Sequence, residues 1–112
     1  MESIRQQKMA RLIQKELAAI FLREVKSLFG NAMITVTRVR MSPDLSIARV
    51  YVSVFAVKDK SSLFEDIEIY SSEIRKHLGN RIRKQVRIVP ELKFFIDDSL
   101  DYIENIENAL KD

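Results

Sequence analysis

Between Ala48 and Ala56 the chain alternates without a break. Ala48, Val50, Val52, Val54 and Ala56 are small or β-branched and apolar, and Arg49, Tyr51, Ser53 and Phe55 stand between them. Successive side chains of an extended strand point to opposite faces, so this stretch is a half-buried strand whose apolar face needs a cover. Upstream, Ile34-Thr35-Val36-Thr37-Arg38-Val39 is also strand-like, although its apolar face is not a clean alternation. Ser42-Pro43-Asp44-Leu45-Ser46 lies between the two, with Pro where a turn uses its preset φ, so a β-hairpin is expected. Val86-Arg87-Ile88-Val89 and Leu92-Lys93-Phe94-Phe95-Ile96 read as a third strand interrupted at Pro90. A Pro there forfeits a ladder donor and belongs at an edge or an irregularity.

Helical spacing on either side supplies the cover. Over residues 3–28, Met9, Ile13, Leu17, Ile20, Phe21 and Leu28 recur at intervals of three, four or seven, which places them on one face of a helix that Gly30-Asn31 should stop. Ser62-Leu63-Phe64-Glu65 fits a capping box opening a second helix. Its stripe is Leu63, Ile67, Tyr70, Ile74, Leu78 and Ile82, and Gly79 is expected to bend or interrupt it, at about 1 kcal/mol of helix propensity relative to Ala. Leu100, Ile103, Ile106 and Leu110 suggest a short last helix capped by Asp98 or Ser99. The order is α-β-β-α-β-α, an α+β chain with a three-stranded sheet and helices on one face. At 112 residues, 1–112 is expected to be a single domain large enough to build a core without staples.

Several chemistries are excluded or unsupported. With no cysteine there are no disulfides or thiolate metal sites. No apolar run approaches the roughly 20 residues that span a bilayer, and Met1-Glu2-Ser3-Ile4-Arg5 lacks a signal-peptide core, so a cytoplasmic address without membrane contact is expected. Two glycines in the whole chain cannot write a phosphate-cradling loop. His77 is the only histidine, without a nucleophile elbow beside it, and is read as a surface residue. Asp97, Asp98 and Asp101 lack the spacing and glycine of a calcium loop and fit a helix N-terminus better. No cofactor, no metal and no enzymatic activity are expected.

The charge layout is more informative than the net +3. Residues 73–93 carry seven cationic side chains against two acidic ones, whereas residues 97–112 carry one against six. Such a split suggests a polyanion-binding face and a separate face that avoids it, although ordinary solvated surfaces would look similar. On the second helix Lys76, Arg83 and Lys84 project opposite the Ile74–Leu78–Ile82 stripe, with Arg75 flanking and Gly79 and Asn80 small enough to admit a phosphate backbone. On the first, Lys8, Arg11, Lys15 and Lys26 fall away from the apolar stripe. Phe55, Phe94 and Phe95 read as core or sheet packing rather than base-stacking groups, so contacts to phosphate and RNA shape should dominate over base readout. The alternative is a protein-interaction module that uses the acidic C-terminal helix.

These residues resemble a known family. Gln14-Lys15-Glu16-Leu17 with Arg23-Glu24-Val25-Lys26, Met41-Ser42-Pro43-Asp44-Leu45, Ala48-Arg49-Val50-Tyr51-Val52-Ser53, Ile74-Arg75 with Leu78-Gly79, and Arg87-Ile88-Val89-Pro90-Glu91-Leu92-Lys93-Phe94-Phe95-Ile96-Asp97-Asp98-Ser99 stand in the order found in ribosome-binding factor A. The resemblance implies a type-II KH-like fold, α-β-β-α-kink-α-β. It implies a non-enzymatic factor that binds free 30S subunits and 16S rRNA, near the 5′-terminal helix region, and the protein is expected to act as a monomer. Assistance in late 30S maturation and 16S 5′-end processing, and a role in cold adaptation, are implied with it. The RNA-binding residues expected on the combined reading are Arg75, Lys76, Arg83, Lys84, Lys8, Arg11 and Lys15. The GxxG loop of ordinary KH domains is absent, and the family's Ala-x-Gly kink is replaced by Tyr70-Ser71-Ser72. A serine bonding its own backbone is the expected source of a bend there.

Overall fold

The computed structural model describes residues 2–30, 32–55 and 59–97. The elements are α1 (Ile4–Ala19), a π-helical turn (Ile20–Glu24), a 3-10 turn (Lys26–Leu28), β1 (Met33–Met41), β2 (Ile47–Phe55), α2 (Lys60–Ile69), α3 (Ser71–Ile82) and β3 (Glu91–Ile96). The α+β order read from apolar periodicity forms as far as β3. Ala56 and the last helix expected over residues 100–110 lie outside the described residues.

Ser3 and Gln6 form a capping box at the start of α1. Ser3 Oγ accepts the Gln6 N–H at 3.1 Å, and Gln6 Oε1 accepts the Ser3 N–H at 2.7 Å. The Gln6 amide then donates to the Met41 carbonyl at 3.0 Å, and Gln14 Nε2 lies 3.3 and 3.4 Å from the Val36 and Thr37 carbonyls. Two glutamines on one helix thereby occupy carbonyls of β1, an edge strand of the sheet. Past Ala19 the ladder widens, with the Val25 N–H donating to the Ile20 carbonyl at 3.1 Å. The wider turn rotates the stripe more slowly, so Val25 and Phe29 enter the core and Leu28 is only partly buried. That corrects the straight-helix expectation for Leu28. Gly30, at φ +62°, then turns the chain toward β1.

β1 and β2 make the expected antiparallel hairpin, and β3 joins β2 in parallel, giving the order β1-β2-β3. The uneven alternation of β1 has a structural cause. Val36 pairs with Val52 and Arg38 pairs with Tyr51, so Thr37 is the extra residue of a bulge. Ile34 and Val36 before it, and Val39 and Met41 after it, all meet the core, while Arg38 and Arg40 turn to the other face. The Thr37 hydroxyl lies 2.6 Å from Asp97 Oδ2 and 3.2 Å from the Tyr51 carbonyl. In the hairpin loop the Leu45 N–H donates to the Ser42 carbonyl at 2.9 Å, with Pro43 inside the turn as expected.

The second helical region starts earlier than its sequence suggests. Asp59 Oδ1 accepts the Ser62 N–H at 3.1 Å, so Asp59 is the cap and Ser62 lies inside the first turn. The break falls at Tyr70 (φ −89°, ψ 10°), whose ring meets Phe29 edge-on at 6.0 Å. No hydrogen bond engages the hydroxyl of Ser71 or Ser72 among the described residues, so an aromatic anchor, not serine back-bonding, accompanies the bend. α3 continues through Gly79 without interruption. Ile74, Leu78 and Ile82 are fully buried together with Ile13, Leu17, Ile20, Ile67, Val50 and Val52, which places the core between the helices and one face of the sheet.

Residues 86–89 are not a strand. Arg75 Nε donates to the Pro90 carbonyl at 3.1 Å and its Nη2 to the Val89 carbonyl at 2.8 Å, while Ile88 is 72% exposed. With those carbonyls engaged by a side chain and Pro90 lacking an N–H, pairing begins at Glu91 opposite Ile47.

Candidate nucleic-acid interface

α1 and α3 pack against each other on the same side of the sheet. Their seam is closed by Arg81 between two carboxylates, with His77 beside them. Arg81 Nε lies 2.6 Å from Glu16 Oε2, Arg81 Nη1 lies 2.7 Å from Glu24 Oε1, and His77 Nδ1 lies 2.9 Å from Glu24 Oε2. Later positions of the first helix meet earlier positions of α3, so the two run antiparallel. The π-helical turn assists this. Eight residues at about 100° each would set Glu24 about 80° around the helix from Glu16. The slower rotation of the wide turn recovers part of that angle, and both carboxylates reach one guanidinium. The hydrogen bond that Arg81 donates to Glu16, and after it the one it donates to Glu24, hold the Arg81 pKa above its ordinary value.

The cationic side chains stand on the outer flanks of this seam. Lys8, Arg11 and Lys15 are exposed on the side of α1 opposite buried Ile13 and Leu17. Lys76 is exposed on the side of α3 opposite Ile74, Leu78 and Ile82, and Arg83 and Lys84 follow it in the turn that closes the helix. None of these six makes an ion pair or a hydrogen bond through its side chain among the described residues. The arrangement is two cationic ridges facing away from the sheet, separated by a seam where opposite charges already meet. A ridge of unpaired Lys and Arg is chemically suited to neutralising phosphates.

The remaining members of the sequence reading are placed differently. Arg75 belongs to the side of α3 that faces β3, where its guanidinium is bonded to backbone carbonyls. Gly79 is not in the middle of the outer ridge; a Cβ there would meet Val89 Cγ2 at 3.5 Å. His77, read as a surface residue, is half-buried in the ion-pair seam. Phe94 is core, edge-on to Phe21 at 6.3 Å. Phe95 instead lies on the far side of the sheet, stacked on Tyr51. The sequence expectation for Phe95 is core or sheet packing, and the β2 alternation that sets Tyr51 on the outer face carried the signal for its neighbour. No group of three or more potential metal-ligating side chains and no helix long and apolar enough to cross a membrane occurs among the described residues.

Comparison with known proteins agrees with this architecture. A family model described as ribosome-binding factor A matches residues 5–110. The ribosome-binding factor A of Cytophaga hutchinsonii is 54% identical over 110 residues, covering 98% of this chain and 83% of that protein. The one from Flavobacterium johnsoniae is 46% identical over 111 residues, covering 98% and 85%. Among solved structures, the crystal structure of the Thermus thermophilus factor superposes with a TM-score of 0.65 at 22% identity, covering 81% of this chain and 94% of that one. A Thermus thermophilus homology model fitted into the cryo-EM map of a complex with 30S gives 0.57 at 26% identity, covering 88% and 97%. These neighbours have a KH-like fold, and so does this chain. A match across almost the whole length, with relatives this similar, means that the chain belongs to the ribosome-binding factor A family.

Proposed function

We propose that this protein is a ribosome assembly factor that binds free 30S subunits through 16S rRNA. It assists late 30S maturation, including processing of the 16S 5′ end, by docking rather than by catalysis. It acts in the cytoplasm as a monomer, and the region near the 5′-terminal helix is its site on the RNA. The observation that carries the reading is the pair of outward cationic ridges, with Lys8, Arg11 and Lys15 on one and Lys76, Arg83 and Lys84 on the other, all exposed and without partners among the described residues. The family, and the 30S complex of its Thermus thermophilus relative, support the choice of partner. In this reading Arg75 contributes by fixing the approach to β3, and so the setting of α3, through its two carbonyl bonds.

Docking by phosphate neutralisation makes affinity fall steeply with salt, with a log–log slope of roughly −0.7 to −0.9 per contact. Co-sedimentation with purified small subunits across a salt series measures that slope. Reversing Lys76 and Arg83 together to Glu should weaken docking and flatten the slope while the far-ultraviolet circular dichroism stays unchanged. A wild-type slope in that variant would remove α3 from the interface.

A further inference from the structure

The face of the sheet turned away from the helices is not neutral filler. Strand register sets its side chains in rows, because residues directly opposite on paired strands share a face. Arg40 is opposite Arg49, and Arg49 is opposite Lys93, so one row crosses all three strands with a cation on each. The next row is Arg38, Tyr51 and Phe95. Rows two residues apart along a strand are separated by about 6.5 Å, so the two rows form one small surface.

Each row has a property that the fold alone does not use. Like charges directly opposite one another destabilise a sheet. Arg40, Arg49 and Lys93 are exposed, and no ion pair or hydrogen bond compensates their side chains among the described residues. An anion lying along the row would relieve that repulsion. In the second row the Tyr51 and Phe95 rings stack with centroids 5.3 Å apart at 26°, and the Arg38 guanidinium carbon lies 4.4 Å from the Tyr51 ring centroid. Arg38 thus takes one face of Tyr51. Phe95 keeps 39% of its surface exposed, on an edge strand. The acids flank this patch rather than divide it. Glu91 lies one row beyond Lys93, opposite Ile47; Glu68 of α2 borders Lys93 and Phe95 at the outer edge of β3; and Asp97, past the end of β3, accepts from Thr37.

From this juxtaposition we propose that the open sheet face is a second RNA site, taking one or two nucleotides of single-stranded RNA with a base against Phe95 and phosphates along Arg40, Arg49 and Lys93. Duplex RNA does not fit, since paired and stacked bases offer no free face to an aromatic ring. An acidic peptide would use the cations but leave the ring stack without a role. The proposal rests on RNA being the partner, and it adds a face opposite to the helical ridges. Two sites on opposite faces would let the protein hold an unpaired strand while docked through α1 and α3.

The test uses the full-length protein and a fluorescein-labelled oligouridylate of about ten nucleotides, with binding read by fluorescence anisotropy at low salt. Phe95→Ala is expected to weaken binding by about 5- to 150-fold, the range seen when one base loses its aromatic partner. Phe95→Leu keeps apolar bulk on the sheet, so it should lose most of that affinity while circular dichroism confirms the fold. Arg49→Gln with Lys93→Gln should lower the log–log salt slope by about 1.4, at about 0.7 per single-strand contact. The Lys76→Glu, Arg83→Glu variant should dock poorly on small subunits and lose part of its low-salt affinity for the oligonucleotide, but adding Phe95→Leu in that background should weaken oligonucleotide binding by the same factor as in wild type. Wild-type affinity in both the Phe95→Leu and the Arg49/Lys93 variants overturns the sheet site. If only the α3 variant loses the oligonucleotide, the sheet site is overturned and the helical RNA reading stands. If the wild-type protein binds small subunits but no oligonucleotide at low salt, the sheet site is likewise overturned.

Discussion

Replacing Gly79 by Ala separates two roles that its sequence position allows. Were Gly79 on the ridge beside Lys76 and Arg83, a methyl group would stand where a phosphate backbone passes. In the structure it faces inward, and the new Cβ would meet Val89 Cγ2 at 3.5 Å, an ordinary van der Waals contact. The backbone there is regular α-helix, four residues inside the C-terminal end at Arg83. Ala is favoured over Gly in a helix interior by about 0.5–1 kcal/mol, and nothing in the surroundings opposes that gain. For a chain of this size, each kcal/mol moves the melting temperature by roughly 4–8 °C, so Gly79→Ala should melt about 2–8 °C higher. Urea denaturation should show a raised midpoint with an unchanged m-value. Small-subunit binding across the salt series should match wild type. A destabilised variant would show that the contact with Val89 cannot admit a methyl group. A stabilised variant with weakened docking would place this side of α3 against the RNA.

The other glycine gives the opposite sign. Gly30 sits at φ +62° with open space around its missing Cβ, so Gly30→Ala should cost about 1–2 kcal/mol through backbone strain alone, measured by the same urea titration. Arg81→Met removes both guanidinium contacts of the α1–α3 seam. Since the groups are partly exposed, the loss should be roughly 0.5–2 kcal/mol and should shrink at about 1 M salt, where such pairs are screened. The Asp44 carboxyl is held below its ordinary 3.8 by hydrogen bonds from the Ser46 and Ser42 hydroxyls and the Ser46 N–H. A folded pKa below the unfolded one stabilises above the ordinary value and ceases to do so as pH falls through the folded value. Asp44→Asn should therefore melt below wild type at neutral pH, and the two curves should converge in acid below about pH 3.8.

Most of the fold was legible because burial follows periodicity. The stripe from Leu63 to Ile82 and the inner face of β2 meet the core as their spacing requires. What escaped has identifiable physical causes. The wide turn at Ile20–Glu24 depends on shifted backbone bonds such as Val25 N–H to the Ile20 carbonyl, and no residue type announces it, so Val25 and Phe29 replaced Leu28 in the core. The bulge in β1 was visible in principle, since apolar residues change from even to odd numbers across Thr37. The capping box at Ser3 and Gln6 carries its own sequence signature, which the similar pattern at Ser62 and Glu65 overshadowed. At the interface, the cationic faces of α1 and α3 could be read from helical phase. The contact between the helices could not, nor could the Glu16–Arg81–Glu24 seam between their ridges, because ion pairs spanning 57 and 65 residues follow from tertiary packing. Arg75 shows the same limit. Its charge suggests a phosphate, and only the fold reveals the carbonyls of Val89 and Pro90 beside it.

The glutamines of α1 carry a consequence for how this chain could fail. An edge strand with vacant carbonyls is a template on which another extended chain can grow. Gln6 and Gln14 occupy three of those carbonyls on β1, so the helix acts as a lid over the template as well as a wall of the core. Loosening α1 would open the apolar interior and unseal the strand in a single event, and self-association should then track fraying of the amino-terminal helix rather than global unfolding.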